Sequence, residues 1–352
     1  MFSKQTRAVP AGILLIGLVA VCPAQAQTTW NYQVFHGPAS LTLYQPNAIN
    51  NAGTVAGTFS GQASSGAFIA QGNTFITFGN GDTQLNGINN AGVTTGIFYD
   101  ANADVVTPYV RAANGTITKL AKLDYGDVPQ GINGAGKVVG YSTDINFSIV
   151  HGAIWNGGIE TVSDYPGAID TVYYGINNAD KIVGDTNTIN GGDTVTAFVL
   201  ENGVYTPISV PGASVTVAGG INNANQILGR YQDASGNFHG FLLANGGFTT
   251  LDFLGLDSVF GLTFTDSDGK LYNRQNSFTV PFGFNDRTDF VGVFGASYQG
   301  ADGTGFLFRE QAFKATAVPE PGAFALLGAA VATCTTFMLR RRHRRQRHEL
   351  TS

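Results

Sequence analysis

The sequence predicts an all-β fold, a β-propeller of about six four-stranded blades, with an N-terminal signal peptide and a C-terminal transmembrane helix at its ends. Three observations carry that expectation. Glycine makes up 47 of 352 residues, about 13% against a usual share of roughly 7%, which suits short strands and tight turns. An Ile-Asn-Asn-Ala-Gly segment recurs along the central part of the chain. Asn-Gly pairs stand between apolar runs, the strongest short-range signal of a β-hairpin.

The first 26 residues read as a secretory signal. Lys4 and Arg7 give a basic start, and Ala11 to Val21 form an apolar stretch of signal-peptide length. Ala24-Gln25-Ala26 is a small-x-small cleavage site, which places the mature start at Gln27. Eleven apolar residues are too few to cross roughly 30 Å of hydrocarbon.

Residues 27–317 hold the repeat. Its first Asn falls at Asn50, Asn89, Asn133, Asn177, Asn222 and, in a degraded copy, Asn285. A Gly stands seven residues after each of them: Gly57, Gly96, Gly140, Gly184, Gly229 and Gly292. A short apolar strand follows, such as Ala67-Phe68-Ile69 or Ala197-Phe198-Val199, and then often an Asn-Gly turn. Four short strands in about 44 residues, repeated about six times, is the pattern of propeller blades.

The six Asn are expected to close Asx turns, with a binding rim as the alternative should those turns line one edge. The fifth position of the motif is Gly53, Gly92, Gly136, Asp180 and Asn225, residue types that tolerate a left-handed backbone. Thr288 occupies it in the sixth unit, where a distorted turn is expected. The repeat Gly is expected to permit close strand packing or a bulge.

Two irregularities mark the ends of the repeat. The last interval is 19 residues longer than the usual spacing, and the excess, within Leu254 to Pro281, reads as an inserted hairpin around Asp266-Ser267-Asp268-Gly269. That turn gives a weak case for calcium, without the later acidic ligands of an EF-hand. No other cofactor and no metal site is expected. Residues 32–40 match Tyr205 to Ser214 with one gap. The chain thus starts with the last strand of a blade, unless Phe313 to Thr316 fills that place.

The C-terminus has three parts: the motif Val318-Pro319-Glu320-Pro321, an uncharged stretch at 322–339, and an Arg-rich tail at 340–352. Eighteen residues of helix span roughly 27 Å, enough for a membrane. Arg340, Arg341, Arg342, Arg344, Arg345 and Arg347 would hold that end in the cytoplasm. This ordered combination resembles the PEP-CTERM sorting signal of exported proteins in Gram-negative bacteria that make exopolysaccharide. The same tail is also labelled an ice-binding-protein C-terminal segment. The resemblance implies exosortase as a partner, processing near the motif, and residence in the inner membrane before processing, then at the cell surface or in the extracellular medium. The repeats in turn resemble the HAF-type extracellular repeats, most closely at His239-Gly240-Phe241 and partly at His151-Gly152-Ala153.

Chemistry is harder to find. Residues 27–317 contain no Cys, which excludes thiol catalysis there, and carry 11 basic and 22 acidic residues. That excess of negative charge disfavours nucleic acid as a partner. No P-loop, GxSxG elbow or HExxH segment occurs. His36, His151 and His239 are scattered, and Asp100, Asp144, Asp185 and Asp233 recur just after the repeat Gly without singling out a pair. The expectation is a non-catalytic binding or structural propeller at the cell surface, associated with exopolysaccharide or other surface proteins. A propeller-type glycan hydrolase or lyase is the first alternative, and an ice-binding or adhesion protein the second.

Overall fold

The computed structural model describes residues 29–318 apart from 39–42, 62–64, 80–82, 101–104, 123–125, 145–148, 190–194 and 254–255. The expected signal peptide, with Ala24 and Ala26, lies outside the described residues, as do Pro319, Glu320, Pro321, the 322–339 stretch and the tail arginines. Among the described residues no helix is long and apolar enough to cross a membrane. Trp30–Ala317 form one compact unit.

The strands run in order around a ring. After β1 (Thr29–Val34), blade one holds β2 (Leu43–Ile49), β3 (Val55–Ser60), β4 (Ser65–Gln71) and β5 (Thr74–Phe78). Blade two holds β6 (Thr83–Ile88), β7 (Thr94–Asp100), β8 (Val105–Arg111) and β9 (Ile117–Lys119). Blade three is β10 (Val128–Ile132), β11 (Val138–Thr143), β12 (Val150–Asn156) and β13 (Ile159–Val162). Blade four is β14 (Ala168–Ile176), β15 (Ile182–Ile189), β16 (Thr196–Glu201) and β17 (Val204–Ile208). Blade five is β18 (Val215–Ile221), β19 (Ile227–Gln232), β20 (Phe238–Ala244) and β21 (Gly247–Leu251). A helical turn, α1 (Leu256–Phe260), and β22 (Thr263–Thr265) precede the long strands of blade six: β23 (Leu271–Phe284), β24 (Phe290–Gly300) and β25 (Phe306–Val318).

Blade six is completed by the other end of the chain, because β1 pairs with β25. Phe313 to Thr316 therefore lie in a third strand, and the outermost place belongs to β1. The repeat between residues 32–40 and 205–214 pointed to this closure. Single parallel bridges join blades three and four (Val150↔Asp170) and blades five and six (Phe238↔Phe278) at their edges.

Six apolar clusters fill the six gaps between consecutive blades, one of them between blades six and one. Ala67 and Phe68 belong to blade one, yet Ala67 packs with Leu85 and Tyr109 of blade two while Phe68 packs towards Val291 of blade six. Trp155 sits in the gap between blades two and three, Tyr173 and Phe198 between three and four, Phe241 between four and five, and Phe294 with Phe313 between five and six. Each such buried side chain contributes about 1.5–3 kcal/mol. The alternation of the strands supplies them: one face of a blade meets the preceding blade and the other the next.

The repeat Gly has a steric task. Every inner strand carries a register shift opposite it, at Pro46/Ala48, Leu85/Gly87, Pro129/Gly131, Tyr173/Gly175, Ala218/Gly220 and Pro281/Gly283. A Cβ at Gly184 would lie 2.0 Å from the Val172 carbonyl oxygen, and at Gly96 1.9 Å from that of Gln84. Close approach at a bulge excludes a side chain here.

The inserted segment is a hairpin, with Phe264 opposite Tyr272. Asp266 Oδ1 accepts from the N–H groups of Asp268 and Lys270, the bonding of an ordinary Asx turn. One of the Asn-Gly pairs between apolar runs, Asn156-Gly157, turns one residue later than the pair itself: Asn156 pairs with Ile159, and Gly157-Gly158 make the turn with positive φ.

Candidate functional site: a closed collar and an open funnel

The six repeat Asn form a ring around the propeller axis. Asn50 Nδ2 donates to Asn89 O (3.2 Å), Asn89 to Asn133 O (3.0 Å) and Asn133 to Asn177 O (3.3 Å). Asn177 continues to Asn222 O (3.2 Å), Asn222 to Asn285 O (3.3 Å), and Asn285 returns to Asn50 O (2.9 Å). The circuit is closed. The other end of each amide closes its own turn: Asn50 Oδ1 accepts from Ala52 and Thr54, and Asn177 Oδ1 from Ala179 and Lys181. All six side chains are 3–7% exposed. A buried amide with both ends bonded fastens blade to blade.

Blade six obeys the same rule, contrary to expectation. Thr288 adopts φ 62°, and Asn285 Oδ1 still accepts from Arg287 and Asp289. The turn is regular and the threonine is strained, because the five other turns and the ring dictate the backbone. A β-branched residue in the left-handed region costs roughly 1–2 kcal/mol.

A second tier caps the collar. Asn51, Asn90, Gly134, Asn178, Asn223 and Asp286 occupy equivalent positions. The Asp286 carboxylate gathers donors from Asn223 N–H (2.8 Å), Asn223 Nδ2 (3.0 Å) and Asn51 Nδ2 (2.8 Å). Burial acts to raise its pKa, but these hydrogen bonds outweigh burial and hold it below the usual value. Under the collar Ile49, Ile88, Ile132, Ile176, Ile221 and Phe284 point to the axis and line its narrow end.

One position before that apolar tier stands a set of small residues: Ala48, Gly87, Gly131, Gly175, Gly220 and Gly283. The inner strands crowd there. A Cβ at Gly175 would lie 2.9 Å from the Gly220 Cα, and at Gly283 2.5 Å from Asn47 O. This small-residue ring repeats at a fixed offset in the sequence and was a legible signal that the repeat reading did not use.

Beyond it the axis widens into a funnel of about 690 Å³. Its mouth lies at the end of the strands remote from the collar, beside Ser60 and Ser65 of blade one and Glu310 of blade six. Trp30 of β1 and Ala317 of β25 lie on the collar side, where Trp30 Nε1 donates to Thr288 O and Ala317 N–H to Asp289 Oδ1. The wall is uneven. Blades one to three supply Gln45, Asn47, Gln84, Asn86 and Gln130, blades four and five Tyr174 and Arg230, and Gly219 leaves room beside them. Asn47 and Asn86 each donate to the next inner strand, at Leu85 O and Pro129 O. Among the described residues, the side-chain amides of Gln45, Gln84 and Gln130 and the Arg230 guanidinium make no hydrogen bond, whereas the Gln84 backbone carbonyl accepts from the Tyr109 hydroxyl.

Behind this wall sits one charged pair. Asp185 is buried, and burial raises its pKa to about 6, opposed by Arg230 and by a hydrogen bond from Tyr174. Burial pushes the Tyr174 and Tyr141 hydroxyls up as well, and the Asp185 carboxylate adds to the effect on Tyr174. Tyr141, Asp185 and Arg230 each follow the repeat Gly of successive blades, so equivalent positions meet around Tyr174. Of the other recurring carboxylates, Asp233 closes a turn and Asp144 accepts from Ile149 N–H, while the Asp100 side chain lies outside the described residues.

The histidines lie away from the funnel lining. His151 Nδ1 bonds Asp164 (2.8 Å) and His239 Nδ1 bonds Asp252 (3.0 Å), in both blades thirteen residues on. His239 Nε2 also meets Asp233 (3.1 Å). Burial disfavours the His239 imidazolium, but its two aspartates prevail and raise its pKa. This clasp ties the third strand to the end of the fourth. Among the described residues no group of three or more acidic, His or Cys side chains is placed to hold a metal ion.

No protein-family model matches the chain, and no curated protein matches its sequence. Among solved structures it is similar to a catalytically inactive virginiamycin B lyase from Staphylococcus aureus with quinupristin, at 12% identity and TM-score 0.43 over 82% of this chain and 100% of that one. It is similar to TolB from Acinetobacter baumannii at 13% identity and TM-score 0.45, over 75% of this chain and 63% of that one. AofleA from Arthrobotrys oligospora matches at 13% identity and TM-score 0.42, over 80% and 92%. Likenesses this low carry no argument about activity. The propeller is established by the chain's own closed circuit of blades.

Proposed function

We propose that the propeller is a non-catalytic binding module whose funnel takes a neutral glycan, carried on an exported protein of the cell surface. The observation that supports this is the funnel wall. Amides that can both donate and accept stand opposite the ring of Tyr174, and Arg230, the one cation among the described lining residues, is balanced by Asp185 behind it. Sugar hydroxyls need that mixture of donors, acceptors and apolar faces. The repeat Asn, bonded among themselves, leave the binding task to this wall.

The Pro319-Glu320-Pro321 region is read as a PEP-CTERM signal and the 322–339 stretch as its membrane segment. Exosortase would be the processing partner.

A second reading, a glycan hydrolase or lyase, draws support from Asp185, Tyr174 and Arg230, unlike groups gathered at one wall. One experiment separates the two. Purified protein is incubated with exopolysaccharide from the producing cells, and both co-sedimentation and polymer length are followed. Binding with unchanged length supports the module, and new reducing ends or unsaturated sugars support the enzyme. Gly219→Phe provides the control. A Cβ there meets nothing closer than 3.5 Å, so the added ring fills the funnel without breaking the wall, and binding should be lost.

A further inference from the structure

Blade six is built differently from the rest. β23, β24 and β25 have 14, 11 and 13 residues, whereas no strand of blades one to five exceeds nine. The surplus projects past the funnel mouth. Its register places Phe306 opposite Gln299, Phe308 opposite Ser297 and Glu310 opposite Gly295. These three alternate residues share one face, which continues down to Val291 in the gap with blade one. Glu310 lines the funnel. Phe308 and Phe306 lie two and four residues further out, about 7 and 14 Å along the strand.

Both rings are open to solvent, Phe306 at 54% and Phe308 at 70%, and they meet edge to face at 5.0 Å. The opposite face of the extension is held firmly. Arg309 lies over the rings of Phe264 (4.5 Å) and Phe260 (5.4 Å) of the inserted segment. The Tyr298 hydroxyl donates to Phe260 O and Gly261 O, and Lys270 reaches across to Thr304 (2.7 Å) and Asp302 (3.2 Å). The insertion therefore braces the back of a sheet whose front shows two bare aromatic rings beside the funnel.

We infer that Phe306 and Phe308 form an aromatic wall that stacks successive sugar rings of a neutral polysaccharide chain whose adjoining residues enter the funnel. This rests on the funnel reading and extends it from a pocket to a track. Continuity through Glu310 argues for a chain that occupies both parts. The apolar faces of sugar rings match exposed aromatic rings, and the uncharged pair suits a neutral polymer.

The test uses the full-length protein in detergent micelles. The probes are neutral exopolysaccharide from the producing cells, as intact polymer and as short oligosaccharides made from it by partial acid hydrolysis. Phe306→Ala with Phe308→Ala should weaken polymer binding about tenfold, as the loss of two stacked rings implies, and leave oligosaccharide binding within about twofold. Phe306→Trp with Phe308→Trp should keep polymer binding and change its emission when polymer is added. Polymer binding by the alanine variant at wild-type strength overturns the wall. So does equal loss of both probes, or a wild-type dimer that the alanine pair converts to monomer. Loss of oligosaccharide binding in Gly219→Phe, with the alanine pair unaltered, leaves the funnel standing and the wall refuted. No binding of either probe by the wild type refutes both.

Discussion

Replacing one collar asparagine should loosen the whole ring, and Asn177 allows the size of the effect to be worked out. Its Oδ1 accepts from Ala179 and Lys181 at 3.0 Å each, and its Nδ2 donates to Asn222 O at 3.2 Å and Asn225 Oδ1 at 3.1 Å. Asn177→Ala removes all four bonds from a side chain that is 3% exposed. Each such bond nets about 0.5–1.5 kcal/mol, so the four together give about 2–6 kcal/mol, with the abandoned Lys181 N–H favouring the upper part of that range. For a domain of this size that lowers the melting temperature by about 3–10 °C. Asn177→Asp separates the two tasks of the amide. It keeps the turn acceptor but sets a carboxylate oxygen against Asn222 O, and protonation restores one donor. Its deficit should therefore shrink as pH falls from 7 to 4, whereas that of Asn177→Ala stays constant. Thermal unfolding of both variants, each compared with wild type at the same pH, reads this directly. A change below about 0.5 kcal/mol in Asn177→Ala would show that the collar does not fasten the blades.

Other positions give shorter tests. Gly184→Ala should cost about 2–3 kcal/mol or more, since its Cβ would meet the Val172 carbonyl at 2.0 Å and backbone must move; a wild-type melting temperature would refute the bulge argument. Thr288→Asn should raise stability by about 1 kcal/mol by relieving a left-handed threonine, and a loss of stability in urea would contradict it. Asp185 has a folded pKa of about 6, raised chiefly by burial, so its contribution is fully present below its unfolded pKa and is lost as pH rises through about 6. Asp185→Asn should remove that part of the pH dependence, a difference of up to about 3 kcal/mol between pH 4 and pH 7. Stability curves of wild type and variant that stay parallel over this range would rule it out.

Much of the fold could be read from the chain because each blade repeats the same local problem. The Asn, the Gly seven residues later and the left-handed fifth position are local demands, so they recur in sequence and predict the turns. The match between residues 32–40 and the end of blade four disclosed how the ring closes. Three kinds of feature were hidden. Thr288 looks wrong for its turn, and only the closed collar explains why the backbone stays regular. The helical turn Leu256–Phe260 is too short to show a periodic pattern. The funnel wall joins Gln130, Tyr174 and Arg230 from three different blades, and no local pattern marks residues that meet only when the ring closes. The crowding of Gly175 against Gly220 belongs between these cases: its signal was in the sequence, but its cause lies in the approach of neighbouring strands.

The most direct test of the funnel as a binding site is a crystal structure of the protein soaked with neutral oligosaccharides from the producing cells' exopolysaccharide. The account predicts a sugar chain in the funnel with its glycosidic bonds intact, hydrogen-bonded to Gln130 and Arg230 and lying against the ring of Tyr174. Sugar bound at the Asn51 to Asp286 cap, an empty funnel at saturating ligand, or cleaved sugar beside Tyr174 and Asp185 would contradict it.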